Sequence, residues 1–136
     1  MLTLVAFIVA LGLLIAIHEY GHYRVAVACG VKVLRFSIGI GKPLLKWKGR
    51  NTDTEFVIAA LPIGGYVRML DEREAAVPSE QLHRAFNRQP LHKRAAIVVA
   101  GPLANLLLAI VLYSLVNWVG IQQPKAIVSA PQAGTL

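Results

Sequence analysis

Residues 2–22 read LTLVAFIVALGLLIAIHEYGH, an apolar run that ends in two histidines. From Leu2 to Ile17 the run contains one polar residue, Thr3, and no charge. With the next turn it reaches the roughly 20 residues that a helix needs to cross a bilayer. No Lys or Arg precedes the run and His18-Glu19 interrupts it, which argues against a cleaved secretory signal. The stretch predicts a first transmembrane helix over residues 1–28.

The motif that closes this run is His18-Glu19-Tyr20-Gly21-His22. Residues four apart lie on one face of a helix, so the imidazoles of His18 and His22 are spaced to bind one Zn²⁺ ion. Glu19 is offset from that line and is suited to act as general base for the attacking water. Ionisable groups at membrane depth are costly and usually functional. We therefore predict His18 and His22 as zinc ligands and Glu19 as the catalytic base.

A second uncharged apolar run occupies residues 95–120 and is also long enough to span a membrane. Of the 14 Lys and Arg residues, only Arg24 and Lys125 lie outside the segment between the runs, which leaves 12 inside it. Basic residues close to membrane spans mark the cytoplasmic side. The pattern predicts an α-helical integral membrane protein with two transmembrane helices, joined by a cytoplasmic-side loop over residues 29–94, and both termini on the other side.

The net charge of +7 follows from this topology and from attraction to anionic membrane lipid. No motif or aromatic platform for nucleic acid accompanies the basic residues, so we expect no nucleic-acid partner. The acidic cluster Asp71, Glu72 and Glu74 follows no metal-ligand spacing and is interpreted as the surface of a polar linker over residues 71–81.

Between the spans, residues 33–48 and 55–69 form two extended stretches around a polar turn at residues 49–53. They predict a β-hairpin. Glycines interrupt both strands, at Gly39 and Gly41 in the first and at Gly64 and Gly65 in the second. Glycine within a strand marks either a bend or the close approach of another backbone. These glycines therefore either admit an extended substrate or let the hairpin curve back to the membrane, and both interpretations remain open.

The second run contains the sequence Gly101-Pro102-Leu103-Ala104-Asn105. Pro102 removes a backbone donor and is expected to kink the helix, whereas Asn105 brings an amide into hydrocarbon, where it should face other protein. Two interpretations stay open. Pro102 and Asn105 either support an active site on the first helix, or the segment packs helix against helix through Gly101 and Ala104.

Taken in order, these motifs resemble the N-terminal region of the bacterial site-2 protease family of intramembrane zinc metalloproteases. The resemblance extends over residues 1 to about 128 and is nearest to the members that cut an anti-sigma factor in the envelope-stress response. It rests on residues 18–22, on Phe36-Ser37-Ile38-Gly39-Ile40-Gly41, on Pro62-Ile63-Gly64-Gly65-Tyr66-Val67, on Met69-Leu70-Asp71-Glu72 and on residues 101–105.

The resemblance implies Zn²⁺ as cofactor, peptide hydrolysis within the bacterial inner membrane, and both termini of the multi-pass chain in the periplasm. It also implies that the hairpin, at about residues 33–69, is membrane re-entrant and guides an extended substrate. The expected partners are membrane lipid and a transmembrane protein substrate such as an anti-sigma factor.

The sequence also departs from the family pattern. Residues 121–136 look like the start of a truncated periplasmic PDZ-like domain, and the family's third zinc ligand, an Asp in a Leu-Asp-Gly motif, does not occur in the sequence. Catalytic zinc normally has three protein ligands, so we expect these 136 residues alone to be inactive. The alternative is a catalytically inactive membrane adaptor or regulatory module. A soluble zinc protease with one anchoring helix is disfavoured, because its histidines would not lie at the end of the anchor.

Overall fold

The computed structural model describes residues 1–49 and 52–120, so the expected PDZ-like start lies outside the described residues. Two long helices, α1 (Leu2–Ala28) and α2 (Leu91–Val119), flank two strands, β1 (Val33–Lys48) and β2 (Glu55–Met69). Two short 3₁₀ helices, Ser79–Arg84 and Phe86–Arg88, connect β2 to α2. The expected pair of long apolar helices around a β-hairpin is therefore confirmed.

Helix α2 begins at Leu91, ahead of the expected start at residue 95. Pro90 is extended, with φ −60° and ψ 153°, and its carbonyl accepts the N–H groups of Lys93 and Arg94. The first turn is therefore helical but charged. Hydropathy locates the apolar part of a helix and cannot locate a polar first turn, so the helix begins before the apolar run that the sequence marks.

Both helices are long and apolar enough to cross a membrane. None of the residues in the most apolar window of α1 is buried inside the chain, unlike the core helix of a soluble protein. Such exposure fits a helix whose solvent is lipid. The last turns of α1 nevertheless belong to the folded unit, because Ala26 is fully buried in a core with Val31, Val33 and Ile97.

A glycine ends α1 and turns the chain into the sheet. Gly30 has φ +83°, its N–H donates to the carbonyl of Val27, and the N–H of Val31 donates to the carbonyl of Ala26. This pair of bonds is the Schellman motif, in which a left-handed residue satisfies the last helical carbonyls. Val31 and Ala26 also meet in the core, so the end of α1 is fixed by hydrogen bonds and by apolar contact.

The hairpin is folded back on itself. Residues 33–38 pair antiparallel with 65–69, and residues 43–48 pair antiparallel with 55–59. Residues 35–38 also lie beside 55–58 with the numbers rising together, so the two inner segments run parallel. Across the sheet the order is therefore 43–48, 55–59, 33–38, 65–69. Both strands bend between these segments, where Gly39, Gly41 and Gly64 have φ of +86°, +97° and +105°.

Candidate metal centre

The two histidines of α1 point to one place. Nε2 of His18 and Nε2 of His22 lie 3.2 Å apart, and the rings meet edge to face with centroids 4.8 Å apart. The spacing of four residues puts the side chains on successive turns of one helical face, as expected. Both histidines are half-buried between α1 and α2.

The hydrogen bond at the other nitrogen of His22 determines its tautomer. Nδ1 lies 2.7 Å from the carbonyl oxygen of Ile97 on α2. A carbonyl only accepts, so Nδ1–H of His22 donates to it and Nε2 keeps its lone pair. A backbone carbonyl that holds Nδ1–H in this way orients a metal-binding imidazole in many metal sites.

Asn105 contacts the corresponding ring nitrogen of His18. Its Nδ2 lies 3.4 Å from Nδ1 of His18, while its Oδ1 is buried without a hydrogen-bond partner among the described residues. Amide oxygen and nitrogen are assigned from their hydrogen bonds. With the amide turned over, Oδ1 would accept Nδ1–H of His18, and the NH₂ group would take the buried position. Nε2 of His18 then also carries a lone pair.

Two lone pairs at 3.2 Å repel each other unless a cation or a proton lies between them. This donor set fits Zn²⁺, which takes neutral imidazole nitrogens as ligands. Within residues 1–49 and 52–120, no third His, Cys, Asp or Glu joins them in a metal-binding group. The described part of the chain therefore offers two metal ligands.

Gly101 makes room for the imidazoles. A Cβ on Gly101 would overlap Nε2 of His22 and lie 2.8 Å from Nε2 of His18. On α1, a Cβ on Gly21, the residue before His22, would lie 2.5 Å from the carbonyl oxygen of Ala100. The backbones of α1 and α2 thus approach closely at the motif. The sequence predicted Gly101 as a packing residue, and the structure places it against both histidines as well.

Glu19 lies beside the hairpin. A Cβ on Gly65 would lie 2.8 Å from Cγ of Glu19 and 2.7 Å from the carbonyl oxygen of Ser37. The carboxylate lines a groove that follows residues 65–69, the outer segment of the sheet, and that also touches His22 and Ile97. It also lines a second pocket with His18, Gly64, Gly65 and Asn105. The structure therefore brings together His18, Glu19, His22, Gly64, Gly65 and Asn105.

The other expected site residues lie elsewhere. A Cβ on Gly39 would lie 2.7 Å from the carbonyl oxygen of Leu61, so Gly39 faces the neighbouring strand, and Gly41 lies beside the side chain of Leu61. Pro102 is exposed, and α2 continues through it without interruption. Sequence reasoning missed the carbonyl of Ile97, because a backbone acceptor leaves no signal in side-chain identity.

The acidic linker residues pair with arginines. Arg73 Nη2 donates to Oδ2 of Asp71 at 2.6 Å, and this bond lowers the pKa of the Asp71 carboxyl. Hydrogen bonds from Arg88 and Asn87 lower the pKa of Glu72 in the same way, and Arg68 pairs with Glu74 at 3.1 Å. All three carboxylates of the cluster thus have cationic partners, as expected for a polar surface.

Comparison with known proteins gives a consistent result. A model of peptidase family M50 matches residues 6–133. A Yersinia pestis protein named protease RseP is 54% identical over 136 residues, which is 96% of this chain and 29% of that protein. The Escherichia coli regulator of sigma-E protease RseP is 51% identical over 136 residues, which is 98% of this chain and 29% of that protein.

A Ralstonia nicotianae protein, named as a candidate zinc metalloprotease, is 52% identical over 143 residues, which is 100% of this chain and 31% of that protein. The chain therefore spans between 29% and 31% of the length of these three relatives.

Proposed function

The chain belongs to peptidase family M50, the site-2 proteases, and on that premise we propose that it carries the zinc-ligand half of an intramembrane metalloprotease. The observation that supports the proposal is the convergence of the two Nε2 atoms, with a carbonyl and an amide engaged at the two Nδ1 positions. His18 and His22 would hold Zn²⁺, and further coordination would come from outside the described residues.

When bound, Zn²⁺ supplies a Lewis acid that polarises a carbonyl and acidifies water. The chain itself supplies the proton transfer. Glu19 is the general base that accepts a proton from the attacking water, and it is suited to return that proton to the leaving amine. Its position between the imidazoles and residues 65–69 places it where a peptide along the sheet edge would pass.

The substrate must be extended before attack, because the carbonyls of a transmembrane helix are already hydrogen-bonded. An outer strand offers replacement hydrogen bonds by strand addition. Residues 65–69 form such an outer strand, and Gly65 lies directly beside Glu19. We therefore assign substrate guidance to Gly64 and Gly65. For Gly39 and Gly41 the geometry favours the alternative role of bending the hairpin.

Exposed apolar residues support the proposed membrane placement of the hairpin. Ile40, Leu61 and Ile63 are exposed around the bends of the sheet, which supports the insertion of this part of the hairpin into the membrane. The proposed location is the bacterial inner membrane, with the hairpin on the cytoplasmic side and both termini in the periplasm. Since relatives are named regulators of sigma-E, the proposed substrate is a transmembrane protein such as an anti-sigma factor.

The Glu19→Gln variant of the full-length protein tests this function. It should keep its zinc but cleave a reporter transmembrane substrate at least about 10²-fold more slowly, because an amide does not accept the proton of water. Cleavage in cells and zinc content after purification are the measurements. Glu80→Gln is the matched control, since Glu80 is exposed on the first 3₁₀ helix, and it should cleave normally.

Wild-type cleavage by Glu19→Gln would contradict the catalytic assignment. The alternative is an inactive adaptor or regulatory module of the same family. It predicts that the wild-type protein itself binds the transmembrane partner and leaves it uncut.

A further inference from the structure

A basic pocket lies at the end of α1, away from the metal centre. It is a pocket of about 610 Å³ between the turn after α1, the end of β1 and the first 3₁₀ helix. Among the residues that the structure describes, three cations line it, Lys32, Lys48 and Arg84, together with one carboxylate, Asp53. Val27 and Val33 add apolar lining. The formal charge of this lining is 3 − 1, or +2.

Lys32 is the cation of the pocket whose side chain is held in place by burial and by polar contacts. Its side chain is 16% exposed, and Nζ donates to Oε1 of Gln81 at 3.0 Å and pairs with Asp53 at 3.3 Å. An ammonium has three donors, so two are engaged and one remains for a ligand. Gln81 and Asp53 hold the Lys32 ammonium in place, and the pocket lining keeps its net positive charge.

The other two cations are more accessible. Lys48 lies 3.9 Å from Asp53 with both side chains mostly exposed, and Arg84 makes no ion pair with a residue that the structure describes. Arg84 is nevertheless tied to the pocket by its backbone, since its carbonyl accepts the N–H of Lys32. A phosphate group in the pocket would contact the partly buried ammonium of Lys32, the exposed ammonium of Lys48 and the planar guanidinium of Arg84. All three are good phosphate partners.

We propose that this pocket binds the phosphate of an anionic phospholipid headgroup. Val27 belongs to the last turns of α1, so the pocket opens where that helix would leave the membrane, at the level of the headgroups. A basic residue at the membrane surface contributes on the order of fivefold to the binding of anionic lipid. The inference rests on the proposed membrane placement of α1 and is independent of the protease chemistry.

The test uses full-length protein in phosphatidylcholine vesicles with trace spin-labelled phosphatidylglycerol or phosphatidylcholine. Electron spin resonance gives the ratio of protein-bound to free label for each lipid. Lys48→Gln combined with Arg84→Gln removes two exposed pocket cations and should lower the preference for phosphatidylglycerol about fivefold or more. Lys46→Gln combined with Arg88→Gln removes the same charge from exposed side chains outside the pocket and should change the preference less than about twofold.

Equal loss in both double variants would assign the preference to overall charge and overturn the proposal, as would unchanged preference in the pocket variant. Excess inorganic phosphate is the third arm. If it lowers the wild-type preference to the level of the pocket variant and leaves that variant unchanged, phosphate competes with the lipid for this pocket, as the proposal expects. Equal lowering in both proteins would be general screening by salt and would contradict it. The readout does not need cleavage, so failure of the proposed protease function would leave it interpretable.

Discussion

The absence of a side chain at Gly101 lets α2 meet the two imidazoles directly. The same helix contributes the carbonyl of Ile97 and the amide of Asn105, one turn before and one turn after that contact. His18, Glu19 and His22 could be predicted from their spacing alone, because the chemistry of a shared metal fixes that spacing. The partners on α2 could not be predicted, since they depend on how two helices pack.

Gly101→Ala should therefore damage the metal site specifically. The new methyl group would overlap Nε2 of His22, so the imidazoles must move apart or α2 must shift. We expect zinc affinity of the full-length protein to fall at least about tenfold, as when other orienting groups of a metal site are changed. Zinc retained after graded chelation is the measurement.

Gly12→Ala is the matched control, since it makes the same change in a transmembrane helix where a Cβ meets nothing within 4 Å. It should retain zinc and gain up to about 1 kcal/mol of helix stability. Wild-type zinc affinity in Gly101→Ala would mean that the close contact is not maintained in the metal-bound protein.

At the scale of elements, the positions of β1 and β2 were predictable but their pairing was not. Residues 33–48 and 55–69 are rich in β-branched and aromatic side chains and are bounded by a polar turn, and the strands occupy those ranges. In a simple hairpin, pairing would start with Lys48 and Glu55 beside the turn and would continue in one register along both strands. Pairing instead changes partner at the glycines, because positive φ turns each strand through a bend that side-chain alternation does not encode.

The two bend glycines of β1 should differ in their sensitivity to substitution. Alanine at either position is strained by positive φ, which costs about 1–2 kcal/mol. Only Gly39→Ala would also bring a methyl group to 2.7 Å from the carbonyl oxygen of Leu61, whereas a Cβ at Gly41 has ordinary contacts. Gly39→Ala should therefore lower thermal stability and protease resistance more than Gly41→Ala does.

Cleavage measured on the same samples distinguishes a role in bending the hairpin from a role in guiding the substrate. If Gly41→Ala abolishes cleavage while stability stays near wild type, Gly41 guides substrate and the bending role is insufficient. Loss of activity in proportion to stability in both variants would support the bending role.

For the whole molecule, the asymmetry of charge is the feature that predicts its orientation in the membrane. Twelve cationic residues lie between the spans, and many of them are exposed on the sheet and the 3₁₀ helices. Moving them across the membrane would be costly, so the sheet and the lipid pocket should stay in the cytoplasm. The sequence alone predicts this orientation.

Cysteine labelling tests the orientation directly. In a full-length background with Cys29→Ala, cysteines introduced at Thr52 and Glu80 should be protected from a membrane-impermeant thiol reagent added outside spheroplasts, and one at Gln132 should react. Permeabilised cells serve as the control, in which all three should react. If the two loop cysteines reacted from outside and the cysteine introduced at Gln132 were protected, the topology would be the opposite of the proposed one.

The folded-back hairpin also sets the order in which the protein can be assembled. The strand pairing among the described residues lies within residues 33–69, so α1 and the sheet can be complete before residues 91–119 are synthesised. Helix α2 then docks onto a finished surface, and only at that moment do Ile97 and Asn105 reach the imidazoles. During biogenesis the histidines should therefore lack their hydrogen-bond partners on α2 until the second helix is inserted. Ribosome-arrested chains with cysteines at Val33 and Met69 would show this order, because they should cross-link before α2 emerges.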